Sequence, residues 1–130
     1  MKIRKNIYLE EIECKCGCGL NKMSPATLDI VQSARDYFGK PVIIHSGCRC
    51  ESHNKKVGGL PNSKHLPDEF AGVSRAIDFH VEGVSIKDLH EYLVNKCPNS
   101  NGIGYYDEFC HVDDRMDRPH RWDLRKRKDK

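Results

Sequence analysis

The sequence predicts a small α+β domain rather than a doubly wound α/β fold. Two segments carry apolar residues at helical spacing, and several short β-branched or alternating runs predict strands. Because these elements do not alternate in a regular βαβ order, a doubly wound parallel sheet is not expected. The 130 residues are enough for one hydrophobic core. We therefore predict a single domain over residues 1–124 and a basic tail, RKRKDK at 125–130, that we expect to be disordered.

Each predicted helix begins at a serine cap. Ser24 precedes Pro25, a residue favoured at the first helical position, and Gly39 is a typical helix stop. The apolar residues between them follow the helical period: Leu28, Val31, Ala34, Tyr37 and Phe38. Ser85 caps a second helix that extends to about Lys96. One face of that helix carries Ile86, Leu89, Tyr92 and Leu93.

Four short segments predict strands, at residues 41–44, 76–81, 102–106 and 109–112. A turn at Asp107-Glu108 joins the last two. Residues 46–70 are rich in turn signals and predict a loop. At the other end of the chain, a short lead-in at 8–13 is followed by the glycine-containing CKCGCG at 14–19.

Composition and charge argue against membrane and nucleic-acid functions. No apolar stretch approaches the ~20 residues that a membrane span needs. The start, MKIRKNIYLEEIE, lacks the apolar segment of a secretory signal, so we expect synthesis in the cytoplasm without a signal peptide. The formal net charge is only +3, and acidic residues are interspersed through most of the chain. A nucleic-acid-binding face is therefore not expected.

Three residues carry the strongest indication of chemistry: His65, Asp78 and His111. Asp78 lies between two apolar residues of a predicted strand, so its carboxylate points to the opposite face, where burial without a partner would be costly. His111 has a similar context, and Asp113 falls on the same face as His111. Each residue alone is more typical of a hydrogen-bonded structural role. Together, two imidazoles and one carboxylate are a common ligand set for a catalytic zinc ion whose fourth position takes water.

Several segments, in one order along the chain, carry a resemblance to a known family. They are SGCRCESHNKKVGG, NSKHL, AIDF, GIGYY, FCHVDDR and RW, and the similarity extends from about Tyr8 to Trp122. In this order they resemble the zinc D-alanyl-D-alanine carboxypeptidase family of metallopeptidases, in its carboxypeptidase-like branch, which includes phage-type enzymes. The resemblance implies a Hedgehog/DD-peptidase-like fold, with a central, mainly antiparallel sheet flanked by helices.

The resemblance also implies roles for individual residues. The zinc trio, His65, Asp78 and His111, would bind one catalytic Zn²⁺. Arg49 would bind substrate or polarise the scissile carbonyl, because a guanidinium suits a terminal carboxylate or a developing oxyanion. The alternative for Arg49 is a salt bridge that braces the loop.

A carboxylate must also accept the proton of the attacking water. Related enzymes place it at one of two positions, which here are Asp113 and Glu108. We slightly favour Asp113, since Glu108 falls in a predicted turn.

The chain departs from the family pattern at two places. The family usually places the aspartate seven residues after the first histidine, whereas Asp78 follows His65 by thirteen, with Ser74 where the family has glycine. We expect a surface loop within 66–77 to absorb the extra residues at modest entropic cost and to alter the substrate cleft. Phe109 stands where several relatives carry an additional histidine, which would leave transition-state assistance to an arginine and a carboxylate.

Seven cysteines, an odd number, fit free thiols or metal ligands better than a complete set of disulfides. Five of them are close in sequence or adjoin Arg49: Cys14, Cys16, Cys18, Cys48 and Cys50. Four of these five form a candidate ligand set: Cys14, Cys16, Cys18 and Cys50. These four could bind a second, structural zinc ion, could form one or two disulfides, or could remain unlinked thiols. Cys97 and Cys110 are expected to be small buried hydrophobic residues.

On these grounds we predict a zinc-dependent peptidase that hydrolyses amide bonds of peptidoglycan stem peptides, as a D-Ala-D-Ala carboxypeptidase or an endopeptidase. We expect a monomer whose partner is a peptidoglycan peptide. A short domain of this type suggests a phage or prophage endolysin that reaches the cell wall after release, and the basic tail would favour an anionic wall. The alternative is a non-catalytic zinc-binding recognition module on the same fold.

Overall fold

The computed structural model describes residues 1–69 and 72–126. The helices are α1 (Leu9–Ile12), α2 (Pro25–Phe38), α3 (Glu51–Lys56) and α4 (Ile86–Lys96). The strands are β1 (Lys2–Arg4), β2 (Ile7–Tyr8), β3 (Val42–Ser46), β4 (Ala76–Val81), β5 (Gly102–Tyr105), β6 (Cys110–Asp113) and β7 (His120–Asp123). The predicted α+β class is confirmed.

Five strands form the central sheet, in the order β3-β4-β6-β5-β7. Neighbouring strands are antiparallel except β5 and β7, which are parallel. The strands β1 and β2 form a separate antiparallel pair. The sheet is therefore mainly antiparallel, as the family resemblance implied.

Alternation along β4 separates the two faces of the sheet. Ile77 and Phe79 are fully buried in the core with Leu28 of α2 and Leu89 of α4. Asp78 falls between the two apolar residues and therefore points to the other face. The helices α2 and α4 thus cover one face and leave the opposite face for polar side chains.

The two predicted helices are confirmed together with their end signals. The Ser24 hydroxyl accepts a hydrogen bond from the Thr27 N–H at 3.4 Å, and the Ser85 hydroxyl accepts one from the Asp88 N–H at 3.0 Å. Gly39 ends α2 with a left-handed φ of 65°, which glycine adopts at little cost. The predicted strands are also present as β3 to β6.

Other elements differ from the prediction. The helix α3 lies inside the segment predicted to be a loop, and its cap is the sulfur of Cys50, which accepts a hydrogen bond from the His53 N–H at 3.4 Å. The lead-in at 8–13 contributes to β2 and α1. The strand β7 lies at the sheet edge, and its half-exposed, charged sequence carries a weak strand signal.

Part of the predicted basic tail is described. Arg125 forms an ion pair with Asp123 at 2.8 Å, whereas residues 127–130 lie outside the described residues. The domain boundary at 124 and the disorder of the tail stay predictions. Among the helices in the described part of the chain, none combines the length and the apolar character required to cross a membrane.

Candidate metal centre

The zinc trio comes together on the polar face of the sheet. Asp78 of β4 and His111 of β6 are direct partners in the antiparallel register, and His65 approaches from the loop after α3. Nε2 of His65 lies 3.1 Å from Oδ2 of Asp78, and Nδ1 of His111 lies 2.9 Å from Oδ1 of Asp78. The three residues are only 3%, 6% and 7% exposed. Three potential ligand atoms, one from each buried side chain, thus lie within 4.8 Å of one another.

The hydrogen bonds of His65 determine which ring nitrogen can bind a metal. Nδ1 lies 2.7 Å from the carbonyl oxygen of Gly47, and because a carbonyl only accepts, Nδ1 carries the hydrogen. In neutral His65 the lone pair of Nε2 therefore points towards the carboxylate of Asp78. Nε2 is buried and has no hydrogen-bond partner among the described residues. A buried acceptor aimed at a carboxylate favours a cation between them.

His111 is held between two carboxylates. Its Nε2 lies 2.9 Å from Oδ2 of Asp113 and donates to it, so neutral His111 presents the lone pair of Nδ1 to Asp78. Asp113 is fully buried and also accepts hydrogen bonds from the Gly102 N–H at 2.9 Å and from the Arg115 guanidinium at 2.8 Å. This arrangement, in which a carboxylate fixes the tautomer of a histidine, is typical of the outer shell of zinc sites.

Electrostatics in the cluster are strongly coupled. Burial raises the pKa of Asp78, but the neighbouring His65 and His111 lower it well below its usual range. Burial likewise raises the pKa of Asp113, and hydrogen bonds from His111 and Arg115 lower it below its usual range. For His111 burial lowers the pKa, while the two carboxylates raise it by a larger amount. The site therefore holds two ionised carboxylates and favours positive charge beside them, whether a proton or a metal ion.

Two glycines leave room for this arrangement. A Cβ atom on Gly102 would lie 2.2 Å from Oδ2 of Asp113, and one on Gly104 would lie 2.5 Å from Nε1 of Trp122. Gly104 is the direct cross-strand partner of His111. The GIGYY segment therefore carries glycine where the backbone of β5 must approach the side chains that support the trio.

The trio opens onto a cavity of about 640 Å³. Its walls include the cationic Arg49, Lys64 and Arg115 and the aromatic Tyr106, Phe109 and Trp122. The Arg49 guanidinium lies 3.6 Å from Oδ2 of Asp78 and donates to the Ser46 hydroxyl at 3.1 Å and to the side-chain oxygen Oδ1 of Asn54 at 3.2 Å. Arg49 thus braces its loop and also faces the trio. Its role towards a substrate stays a prediction.

The two candidate base residues occupy different places. Asp113 lies behind His111, and its oxygens are occupied by the contacts described above. Glu108 is exposed in the turn between β5 and β6, and its neighbours Tyr106 and Phe109 line the cavity. Sequence reasoning did not anticipate the part of Arg115, which donates to Asp113 through both its backbone N–H and its guanidinium. Strand alternation gives no signal for it, because β6 ends at Asp113.

The longer spacing between His65 and Asp78 does not keep the two residues apart. The N–H of Asp68 donates to the carbonyl of Val73 at 3.0 Å, and Arg75 pairs with both Asp68 and Asp114. The N–H of Arg75 donates to the carbonyl of Lys64 at 2.8 Å. The described parts of the 66–77 segment therefore form a closed loop whose base is pinned beside His65, while residues 70 and 71 are not described.

The cysteines divide into two groups. All seven are free thiols. Four sulfur atoms lie within 4.8 Å of one another, those of Cys14, Cys16, Cys18 and Cys50. Cys97 and Cys110 are buried, as predicted, and Cys48 is buried as well.

Comparison with known proteins agrees with this site. The family model described as Peptidase M15 matches residues 4–113, which is most of the chain. No curated protein matches the sequence. The match confirms the resemblance to the zinc D-alanyl-D-alanine carboxypeptidase-like metallopeptidases, and peptidases of this family depend on zinc. The chain therefore belongs to the Peptidase M15 family of zinc metallopeptidases.

Proposed function

We propose that this protein hydrolyses amide bonds in the stem peptides of peptidoglycan, as a D-Ala-D-Ala carboxypeptidase or an endopeptidase. The observation that carries the proposal is the convergence of the trio at a cavity that also presents Arg49 and Lys64. A stem peptide ends in a carboxylate, and cationic side chains beside a metal centre suit a short anionic peptide.

The donor set fits zinc. Nε2 of His65, a carboxylate oxygen of Asp78 and Nδ1 of His111 would hold the ion, because each is an acceptor atom that points to the shared centre. Zinc in such a site supplies a Lewis acid that polarises a carbonyl and lowers the pKa of water to about 7. The aromatic walls of the cavity would exclude bulk water around that chemistry.

Arg49 is the residue placed to act on the substrate. Its guanidinium lies 3.6 Å from Asp78 and is oriented by Ser46 and Asn54, so its donors are preorganised at the centre. In a carboxypeptidase it would bind the terminal carboxylate of the peptide, and in an endopeptidase it would stabilise the developing oxyanion.

We assign different roles to the two candidate carboxylates. Asp113 would be a positioning residue that orients His111, since its oxygens are already paired with His111, Arg115 and the Gly102 N–H. Glu108 would then be the general base, because its carboxylate is exposed in the turn whose residues Tyr106 and Phe109 line the cavity. This assignment reverses the slight preference from the sequence.

The site of action that we propose is the cell wall, reached after release from the cell in which the protein is made. The support is chemical: the wall is anionic, the candidate substrate is part of it, and the chain carries a net charge of +3. A phage or prophage endolysin would work in this way.

The test is product analysis with defined muropeptides. The zinc-loaded chain is incubated with tripeptide, tetrapeptide and pentapeptide muropeptides, and the products are identified by mass spectrometry beside a Glu108→Gln variant and an Asp113→Asn variant. We expect loss of terminal D-Ala for a carboxypeptidase or a cut between L-Ala and D-Glu for an endopeptidase. The Glu108→Gln variant should retain zinc and lose turnover.

Two results would contradict the proposal. If zinc-loaded protein cleaves no muropeptide but cleaves unrelated peptides, the substrate assignment is wrong. If it binds muropeptides and cleaves nothing, the protein is a recognition module, and the phenylalanine at position 109, where several relatives carry a histidine, would be consistent with the lost chemistry.

A further inference from the structure

A second cluster of potential metal ligands lies outside the cavity, and the proposed peptidase chemistry makes no use of it. It consists of four thiols, those of Cys14, Cys16, Cys18 and Cys50. Three belong to the CKCGCG loop before α2, and the fourth caps α3. We propose that these four thiols bind a structural zinc ion that fastens the N-terminal segment to the loop carrying Arg49.

The distances between the sulfur atoms fit a tetrahedral metal site. Sγ of Cys16 lies 3.4 Å from Sγ of Cys14 and 3.6 Å from Sγ of Cys50, and all four sulfur atoms lie within 4.8 Å of one another. A tetrahedron with Zn–S bonds of about 2.3 Å has S–S edges of about 3.8 Å. The two shorter pairs would move apart by a few tenths of an ångström, and any pair beyond about 3.8 Å would approach, so shifts of the sulfur atoms of this size would accommodate an ion.

Packing does not explain why the four thiols converge. Cysteine in folded proteins behaves as a small buried hydrophobic residue, and Cys48, Cys97 and Cys110 follow that rule here. Cys16 and Cys18, in contrast, are exposed and still point to the same place as Cys14. An exposed thiol gains little from packing, so a shared ligand is the better explanation for the cluster.

The backbone of the loop is shaped to aim the three N-terminal thiols at one point. Gly17 and Gly19 adopt left-handed φ values of 82° and 91°, which other residues adopt only with strain. The Cys14 N–H donates to the carbonyl of Leu20 at 2.9 Å and thereby closes the loop. The alternation of cysteine with glycine in CKCGCG is thus a geometric requirement of the cluster.

Backbone N–H groups are aimed at two of the sulfur atoms. The N–H of Cys50 points to Sγ of Cys14 and the N–H of His53 points to Sγ of Cys50, each at 3.4 Å. Such donors stabilise negative charge on sulfur, as is needed when a thiolate binds a metal. The sulfur atoms are therefore placed in surroundings that favour the ligand form.

The chemistry of the four sulfur ligands limits which metals could bind. Four soft thiolates in a tetrahedral arrangement are typical of zinc or iron, and a closed set of four protein ligands is typical of a structural rather than a catalytic site. No fifth side chain is required, and the alternative of disulfides would need each sulfur pair to approach from above 3 Å to about 2.05 Å.

The proposed ion would lie next to the segment that carries Arg49. The Cys48 N–H donates to the carbonyl of Ile12 at 2.9 Å, and Arg49 donates through its N–H to the carbonyl of His65 at the same distance. Segment 48–50 thus lies between the cysteine cluster on one side and the zinc trio on the other. A metal bound to Cys50 would immobilise the backbone from which Arg49 reaches the candidate active site.

Metal content of the full chain tests the proposal. Protein is purified without chelator under reducing conditions, and zinc and iron are measured by inductively coupled plasma mass spectrometry. We expect two zinc ions in the natural chain and in a Cys97→Ala control, and one zinc ion in His65→Ala and in a Cys16→Ser/Cys18→Ser double variant. The serine variant should also unfold at a lower temperature than the natural chain.

Because the serine variant could fail to fold, the natural chain is tested as well. Titration with a mercurial reagent, which modifies thiols only, should release one zinc ion to a chromogenic chelator while the second stays bound. Cobalt substitution should give intense thiolate-to-cobalt absorption in the near ultraviolet, which a site of two histidines and one aspartate does not produce.

Three results would overturn the proposal. They are unchanged zinc content in a folded Cys16→Ser/Cys18→Ser variant, disulfides among the four cysteines in alkylated natural protein, and iron in place of zinc. These results do not test the proposed peptidase function. Its metal is bound by the trio, and the zinc content of the His65→Ala variant tests that site.

Discussion

The zinc trio and the four-cysteine cluster contain ligands of different chemistry and are supported in different ways. Asp78 and His111 are paired across two central strands, whereas three of the cysteines lie within five positions of one glycine-containing loop. The trio is buried and opens onto a cavity, while Cys16 and Cys18 are exposed. The strands β4 and β6 would hold their ligands in place without a metal, but the loop has only a few backbone hydrogen bonds to do so.

This difference separates the consequences of losing each metal. A metal site on paired strands, whose ligands are held by further hydrogen bonds, can lose its metal while the strands stay folded. The expected consequence is a loss of catalytic activity. A metal bound by a short loop contributes to the folding free energy of that loop. Loss of the metal should therefore reduce the order of the loop and the stability of the protein.

The largest effect is expected for His65→Ala. The variant removes the unpartnered Nε2 that faces Asp78, so hydrolysis should fall below detection while the sheet remains folded. Hydrolysis of a muropeptide and circular dichroism are the measurements. The matched control is His120→Ala, which removes an imidazole that pairs with the exposed Asp117. Turnover near the natural rate in His65→Ala would remove this residue from the metal centre.

An intermediate effect is expected for Asp113→Asn, because the substitution removes the charge that fixes His111 without changing the shape of the side chain. Zinc affinity should fall by about 10–100-fold, as for other outer-shell carboxylates. The measurement is competition for zinc with a chelator, together with turnover at saturating zinc. Unchanged zinc affinity with abolished turnover would instead make Asp113 the general base.

A smaller and local effect is expected for Cys16→Ser. Hydrogen exchange followed by mass spectrometry should show faster exchange in residues 14–20, while β4 and β6 remain protected. The variant Lys15→Ala, in the same loop, should leave exchange unchanged. Equal protection of the loop in Cys16→Ser and in the natural chain would show that the cysteine cluster does not order it.

The smallest effect is expected for Asp68→Ala, at the base of the 66–77 loop. The substitution breaks the ion pair with Arg75, whose side chain is 40% exposed and also pairs with Asp114. A partly exposed pair contributes roughly 0–1 kcal/mol, so the free energy of unfolding should change by no more than this. Urea unfolding and zinc content are the measurements. Loss of zinc from this variant would mean that the 66–77 loop, rather than the contacts of His65 with Gly47 and Arg49, positions this ligand.

Local signals explain why most of the fold was predictable. Ser24 and Pro25 mark the beginning of α2, and Gly39 marks its end. The six residues of β4 show an alternation of side-chain type that is visible in the sequence alone. The strand β7 was missed because its short sequence, HRWD, is charged and half-exposed and therefore lacks the apolar character that marks the other strands of the sheet. The helix α3 was missed because its cap is a cysteine rather than a residue with oxygen in its side chain.

The sequence predicted the residues of the candidate metal site but not their surroundings. The trio could be named because the family resemblance links residues that lie far apart in the chain. The surroundings of Asp113 could not be predicted, because they depend on the register of β5 against β6 and on the approach of Arg115. For the cysteines the sequence left zinc, disulfides and free thiols open, and convergence of the four sulfur atoms is visible only in three dimensions.

The claim on which everything else depends is that His65, Asp78 and His111 form a zinc centre. A crystal of the zinc-loaded chain, measured at the zinc absorption edge, tests it directly through the anomalous difference map. We predict a peak bonded to Nε2 of His65, a carboxylate oxygen of Asp78 and Nδ1 of His111, with Zn–N distances of about 2.0–2.1 Å. A map without a peak at these atoms, or with zinc on Nε2 of His111 beside Asp113, would contradict the account.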